Sequence, residues 1–375
     1  MTIATVKIEE ATEREKMTNR VYLSNKEATK FSFKQSPETF KVVENTLVKP
    51  QKRGEFRLLE VTKTSISTIE LIEYIASVLK IKEKEISYAG LKDKHAVTTQ
   101  YLTLPRNISV KKFKNSDRVN IKEIGFCDKP IKVGELRSNS FEIVLEDVRQ
   151  DEYYKIERAF NTIKQNGFAN FFGYQRFGVL DDASLKGKKI SEFGKGSKNQ
   201  KSRIIVAAYQ AKYFNEWLNK RLEISKNIID GKKDNITSSI SPTLLKLINK
   251  SNTPFKLLPG DLGFSYKKGK KIFETVNNIE TYIKLLDIKK FYPTGVLFGS
   301  SVRFSTSIAG KIEREFVDYD FDALRGARRA AWVSPQQTDI SFDKENDKVT
   351  LKFTLPAGSY ATVLLEELLN NKIVL

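Results

Sequence analysis

The stretch that most constrains this chain is residues 86–100, Ile-Ser-Tyr-Ala-Gly-Leu-Lys-Asp-Lys-His-Ala-Val-Thr-Thr-Gln. Its centre sets one carboxylate, Asp93, between Lys92 and Lys94, with His95 next in line. An apolar stretch precedes it, and the β-branched and aromatic residues from Val97 to Leu102 have the composition of a strand. The segment therefore reads as a turn that presents Asp93 between two ordered elements. Gly90 gives it either backbone freedom or room for another chain to approach. The flanking ammonium groups favour the ionised carboxylate, and the same lysines suit an anionic ligand. On spacing alone, a charged surface turn is the simpler reading.

Charge narrows the choice of partner. The formal net charge is +19, and the basic residues run along the whole chain rather than in one tail. A folded basic surface is expected, with a polyanion as partner and nucleic acid ahead of a membrane surface. A lysine-rich general composition accounts for part of the excess. With 375 residues, 40% of them hydrophobic, the chain can bury a large core in two domains or one large one. His95 is the only histidine and Cys127 the only cysteine. That excludes an internal disulfide, a zinc finger and a histidine-rich metal site. A serine or cysteine triad would have to use His95, and no nucleophile-elbow sequence accompanies it. There is no phosphate-binding Walker loop and no Gly-x-Gly-x-x-Gly fingerprint. Chemistry must come mainly from Asp, Glu, Lys, Arg, Tyr, Ser or Thr, and no cofactor or metal is expected. No apolar run is long enough to span a membrane, and the first ten residues lack the apolar core of a signal peptide. A cytoplasmic location is expected.

Patterning predicts an α+β chain. Residues 1–30 are polar, with a poorly ordered start expected. Strands are predicted at 31–34, 40–44 and 56–63, then a helix capped by Ser67 or Thr68 and running to Leu79, with Ile69, Ile72, Ile75, Ala76 and Leu79 on its apolar face. Further strands are predicted at 119–126 and 141–145, and an amphipathic helix over 151–166 with Tyr154, Ile156, Phe160 and Ile163. Residues 167–178 surround Arg176 with five aromatics and carry three glycines. That pattern suits stacking on bases, and equally a packed junction. Residues 187–202 read as an exposed basic loop, 204–224 as a strong helix, and 293–299 as a loop in a mainly helical section. The dense charge at 325–329 suits phosphate contact. A strand over 348–355 and a helix over 363–369 close the chain.

The turn Ala89-Gly90-Leu91-Lys92-Asp93-Lys94-His95-Ala96-Val97-Thr98-Thr99-Gln100 resembles the signature of the TruD family of transfer-RNA pseudouridine synthases. Phe40-Lys41-Val42-Val43-Glu44 resembles that family's N-terminal strand, with Lys34 at the spacing of its active-site lysine. Asn139-Ser140-Phe141 is similar to its Asn-x-Phe. Residues 170–178, Pro293-Thr294-Gly295 and residues 355–362 resemble later signatures. The likenesses run in family order from about residue 33 to 369. Tyr174, the stretch after Gly178 and the basic 187–202 loop depart from the pattern.

The resemblance implies a pseudouridine-synthase core with a mixed, largely antiparallel sheet and an inserted family-specific α+β domain. The expected boundaries are 1–166 for the first part of the core, 167–333 for the insert and 334–375 for the return. It also implies isomerisation of uridine in transfer RNA, at position 13 in the D arm. Asp93 would be the nucleophile, with Lys34, Phe141 and Asn139 beside it. Phe141 would stack on a flipped uracil, although alternation alone makes it strand core. Lys92, Lys94, His95, Lys63, Arg137 and Arg176 are candidates for RNA contact or site support. A monomer without an obligate protein partner is expected. The competing readings are a non-catalytic RNA-binding protein or RNA chaperone on the same fold, and a DNA-binding protein, which lacks any recognisable motif here.

Overall fold

Phe40, Val42 and Glu44 are buried while Lys41 and Val43 are exposed, the two-residue period of a strand with one covered face. In a computed structural model, which describes residues 20–24, 27–173, 176–177, 200–319, 325–371 and 373, this strand is β1 (Phe40–Thr46). It lies in an eight-stranded sheet with β2 (Phe56–Thr64), β3 (Ser87–Tyr88), β4 (Val97–Pro105), β5 (Val119–Cys127), β6 (Leu136–Leu145) and two late strands. Those are β13 (Gln336–Asp343) and β14 (Lys348–Pro356). The order is β13-β14-β6-β1-β4-β2-β5, with β3 paired to part of β4. Only β1 and β4 run parallel among these pairs; the rest are antiparallel, so the sheet is mixed and largely antiparallel. The phenylalanines at 31 and 33 are not in a strand, and that stretch makes one bridge, Ser32 to Glu146.

Helix α1 (Thr68–Leu79) begins with a full capping box. The Glu70 amide donates to Ser67 Oγ at 3.2 Å, and the Ser67 amide donates to Glu70 Oε2 at 2.7 Å. Its buried face is Thr68, Leu71, Ile72, Ile75 and Ala76, packed on Leu59, Val61, Leu102 and Leu104 of the sheet. The sequence reading put Ile69 on that face, yet it is 45% exposed. The helix is rotated so that Thr68, not Ile69, meets the sheet, where its hydroxyl donates to Gln100 Oε1 at 2.9 Å.

The described residues form two compact units. The unit just outlined takes 29–158, 335–358 and 373–375; the other takes 1–28, 159–334 and 359–372. Helix α2 (Gln150–Asn166) buries Ile156, Phe160 and Ile163 as the periodicity predicts, but leaves Tyr154 exposed. In the second unit, β7 (Phe168–Ala169) pairs with β12 (Trp332–Val333). A four-stranded sheet is ordered β11-β10-β8-β9, from β8 (Leu262–Lys267), β9 (Lys270–Thr275), β10 (Tyr292–Leu297) and β11 (Ala327–Ala330). Helix α3 (Gln200–Asp230) packs on it, joined by α4 (Pro242–Asn249), α5 (Ile279–Asp287), α6 (Ser307–Arg314) and α7 (Ala361–Leu369). The section is therefore less helical than its sequence suggested. Residues 293–297, expected as loop, are strand because their Pro and Gly serve packing. A Cβ on Gly295 would come within 2.1 Å of the Trp217 ring. The expected disordered start and most of the 187–202 loop lie outside the described residues.

Ser67→Ala removes the side-chain bond of the capping box and leaves the backbone amide at position 67 to donate to Glu70. It is expected to cost about 1 kcal/mol, read as a lower urea midpoint with an unchanged slope.

Candidate active site

Strand pairing lines up Phe353, Phe141, Val42, Thr98 and Lys63 across five strands of the first unit. Two residues further along the same faces come Leu355, Asn139 and Glu44, then Gln100 and Val61. A face that is apolar at Val42, Val61 and Leu355 thus carries Lys63, Glu44, Thr98, Gln100 and Asn139 at its middle. The first four are essentially buried, at 0–1% exposure. Groups of this kind must find partners or lose free energy on folding.

Lys63 finds two carbonyls. Its ammonium donates to Ile66 O at 2.5 Å and to the backbone oxygen of Asp93 at 2.8 Å. Burial pulls its pKa down to about 8, against the opposing pull of the Asp93 charge; Lys92 adds to the depression and Glu70 works against it. Lys92 takes a different partner, with Nζ 2.5 Å from Glu44 Oε2. Its amide donates to Thr68 Oγ1 at 2.9 Å, so one hydroxyl ties α1, β4 and the Asp93 turn together. Lys94 is exposed and pairs with Glu70 at 2.7 Å, which holds Glu70 down at about 2.

Asp93 is half-buried. Desolvation raises its pKa above the ordinary carboxylate value. Lys63, a hydrogen bond from the Gln35 side chain, a backbone hydrogen bond and Lys92 all act the other way. The turn thus holds a partly desolvated carboxylate against two cations, an arrangement in which a carboxylate is less stabilised by water and more available to react. Gly90 does not use the backbone freedom the sequence suggested. Its φ is not positive, and a Cβ there would make only ordinary contacts with Lys92 and Leu136.

The structure redistributes the residues singled out in the sequence. Lys63 and Lys92 do not lie on the surface: the first is wholly buried, and the side chain of the second is 7% exposed in an ion pair. Both instead support the turn from beneath. Lys34 is exposed, and it is the next residue, Gln35, whose side chain reaches Asp93. Asn139 is half-buried, with its Oδ1 lacking a hydrogen-bond partner among the described residues. Phe141 is 8% exposed, its ring stacked on Phe353 at 5.4 Å and tilted against Phe40 at 6.0 Å. His95 and Arg137 are exposed on the same unit.

Arg176 belongs to the second unit, where its guanidinium lies 5.6 Å from the Phe172 ring centre. Phe168, Phe171 and Phe172 are buried, which favours packing over base stacking for that stretch; Tyr174 lies outside the described residues. Of the charges at 325–329, Arg325 is exposed, while Arg328 and Arg329 are engaged internally. Arg328 pairs with Glu313 at 2.6 Å, and Arg329 sits 3.9 Å over Phe172 while donating to Asn170 O at 2.9 Å. Glu44, Gln35 and Gln100 escaped the sequence reading. For Glu44 and Gln100 the signal was present, as polar residues where strand alternation calls for apolar ones. Among the described residues, no cluster of His, Cys, Asp and Glu could hold a metal ion, and no helix is long and apolar enough to cross a membrane.

The electrostatic reading makes a sign prediction. In a carbon-13 titration, the Asp93 carboxyl should titrate above the ordinary Asp range of about 3.9. In Lys63→Met, which removes the cation and keeps the bulk, it should move higher still. An unchanged or lower value would contradict the assignment.

Comparison with known proteins places this arrangement. The family model for tRNA pseudouridine synthase D (TruD) matches residues 16–192 and 197–368. The tRNA pseudouridine synthase D of Sulfurimonas denitrificans is 38% identical over 95% of this chain and 100% of its own length. That of Nitratiruptor sp. is 35% identical over 95% and 99%. The crystal structure of a protein from Methanosarcina mazei, described as a putative tRNA pseudouridine synthase D, superposes with a TM-score of 0.65 over 96% of this chain and 98% of its own, at 22% identity, which bears on the fold. With its Asp93 turn inside the matched region and near-complete coverage of curated relatives, the chain belongs to the TruD family of tRNA pseudouridine synthases.

Proposed function

We propose that this chain carries out its family's isomerisation of uridine to pseudouridine in transfer RNA at position 13 of the D arm, with Asp93 as the nucleophile. The bond from ribose C1′ to uracil N1 is broken, and one from C1′ to C5 replaces it. The reaction is a rearrangement with no net redox change. The observation that carries the reading is the half-buried, desolvated Asp93 carboxylate, whose own carbonyl is gripped by a buried ammonium. A surface turn that merely met phosphate would have no need of a buried lysine beneath it.

The roles follow from placement. Asp93 attacks and forms a covalent intermediate that is released once C1′ is bonded to C5; the C5 hydrogen then leaves as a proton and N1 takes one up, so the rearrangement balances. Lys63 and the Lys92–Glu44 pair hold the turn, and Gln35 orients the carboxylate. Asn139 offers an unpaired acceptor oxygen that suits the N3–H of uracil. Phe141, set between Phe40 and Phe353 in an aromatic row, offers a ring to the flipped base. Lys34, Lys94, His95 and Arg137 are exposed groups of the same unit that suit the RNA backbone. The insert proposed at 167–333 supplies a second RNA-facing surface, and the enzyme works as a monomer.

Purified protein incubated with unmodified transfer RNA should produce pseudouridine at position 13, mapped at nucleotide resolution. Product only elsewhere would overturn the site assignment, and tight binding without product would favour the RNA-chaperone reading. Phe141→Leu, which keeps much of the apolar volume and loses the ring, should slow single-turnover conversion at saturating RNA by about tenfold or more. Its affinity for RNA should be nearly unchanged; unaltered conversion would make Phe141 a core residue only.

A further inference from the structure

The β8–β9 hairpin of the second unit is unlike the basic groups around Asp93. Its turn places Lys268 at φ 50° and Gly269 at φ 75°, the two left-handed positions of a tight two-residue connection. Four lysines, Lys267, Lys268, Lys270 and Lys271, are thereby gathered at one tip, all exposed. Lys267 is offset by Glu274 at 2.5 Å. Lys268, Lys270 and Lys271 have no ion-pair partner among the described residues, whereas Lys92 and Lys94 are each matched by a carboxylate.

An aromatic surface lies beside these cations. Tyr266 is 62% exposed and pairs across the hairpin with Lys271. Its ring stands edge-on to Phe264 at 5.6 Å, and Phe264 stacks on Tyr292 at 5.1 Å. Lys271 Nζ lies 3.8 Å over the Phe264 ring, which fixes its charge close to Tyr266. At the other end of β9, the exposed Arg303 donates to Thr275 Oγ1 at 2.7 Å, extending the basic edge. An exposed ring in contact with other aromatics, on the same hairpin as unpaired cations, is a combination that binds an unpaired base and its flanking phosphates. A merely solvating charged surface has no use for an exposed tyrosine braced by two further aromatics.

We propose that this hairpin is an RNA-contact surface, with Lys268, Lys270 and Lys271 on phosphates and Tyr266 stacked on an unpaired base of the substrate RNA. The inference rests on the reading of the chain as a transfer-RNA-modifying enzyme, but it concerns affinity rather than chemistry.

The test compares wild type, Lys268→Glu/Lys270→Glu and Tyr266→Ala, each checked for unchanged thermal unfolding. Dissociation constants for unmodified transfer RNA are measured from low to moderate salt, with single-turnover conversion at saturating RNA. The double variant should bind at least about tenfold more weakly, and its log–log salt slope should be shallower by about 2, as two lysines cease to neutralise phosphates. Tyr266→Ala should weaken binding about five- to hundredfold with the wild-type slope. Both should convert saturating RNA at the wild-type rate. Wild-type affinity and slope in the double variant would overturn the proposal, as would slower conversion with unchanged affinity. Should wild type bind but make no pseudouridine, the affinity measurements still decide the hairpin's role, and only the functional reading fails.

Discussion

A lysine ammonium with no access to water is the constraint on which the site depends. Lys63 stands on β2 at a position where alternation after Leu59 and Val61 calls for an apolar side chain. Its charge costs free energy to bury, and two carbonyls and a nearby carboxylate offset that cost. One of those carbonyls is Asp93's own, so the lysine and the turn fix each other. Losing the turn would leave a buried cation unpaired; losing the lysine would leave two buried carbonyls without a donor. This mutual dependence holds a two-lysine, one-aspartate turn in one conformation.

The rest of the site is built outward from that pair. Thr68 begins a capped helix and also joins Gln100 to the Lys92 amide, so the helix start, the sheet and the turn share one hydroxyl. Glu44 neutralises Lys92 below the surface, which leaves Lys63 as the largest attraction on the Asp93 carboxylate. The result is a carboxylate raised by burial yet kept from its full desolvation shift. Such a group is poorly solvated yet still faced by a cation, which suits attack on a sugar or a base. The hairpin on the other unit addresses a separate need. On that proposal it holds the RNA through phosphate contacts and stacking, and leaves the step at Asp93 to the first unit.

Much of this was legible in the residues. The strands expected at 40–44, 56–63, 119–126 and 348–355 are present within two residues, and of the two expected caps, Ser67 and Thr68, the structure uses Ser67 with Glu70. The Asp93 turn stood out through its charge pattern. Lys63, expected as an RNA contact or a site support, takes the second role, and its alternation with Leu59 and Val61 is the signal that it faces inward. For Glu44 and Gln100 the inward placement is legible in the alternation, but not their partners, Lys92 and Thr68, 48 and 32 residues away in sequence. The aromatic run after Gly167 and the arginines at 328 and 329 misled in the opposite direction. They looked like nucleic-acid contacts, and they are packed into each other, with Arg329 over Phe172. Pro293 and Gly295 signalled a loop because propensity cannot show that Trp217 needs a strand without a side chain to lie against.

The most direct test of Asp93 as the nucleophile is single-turnover conversion of unmodified transfer RNA by Asp93→Asn, an exchange that keeps the shape of the turn and removes the charge. The expected result is a folded protein that binds RNA with near wild-type affinity and forms no pseudouridine. Pseudouridine formed by that variant at the wild-type rate would contradict the assignment, and would leave the buried lysine beneath the turn without a catalytic purpose.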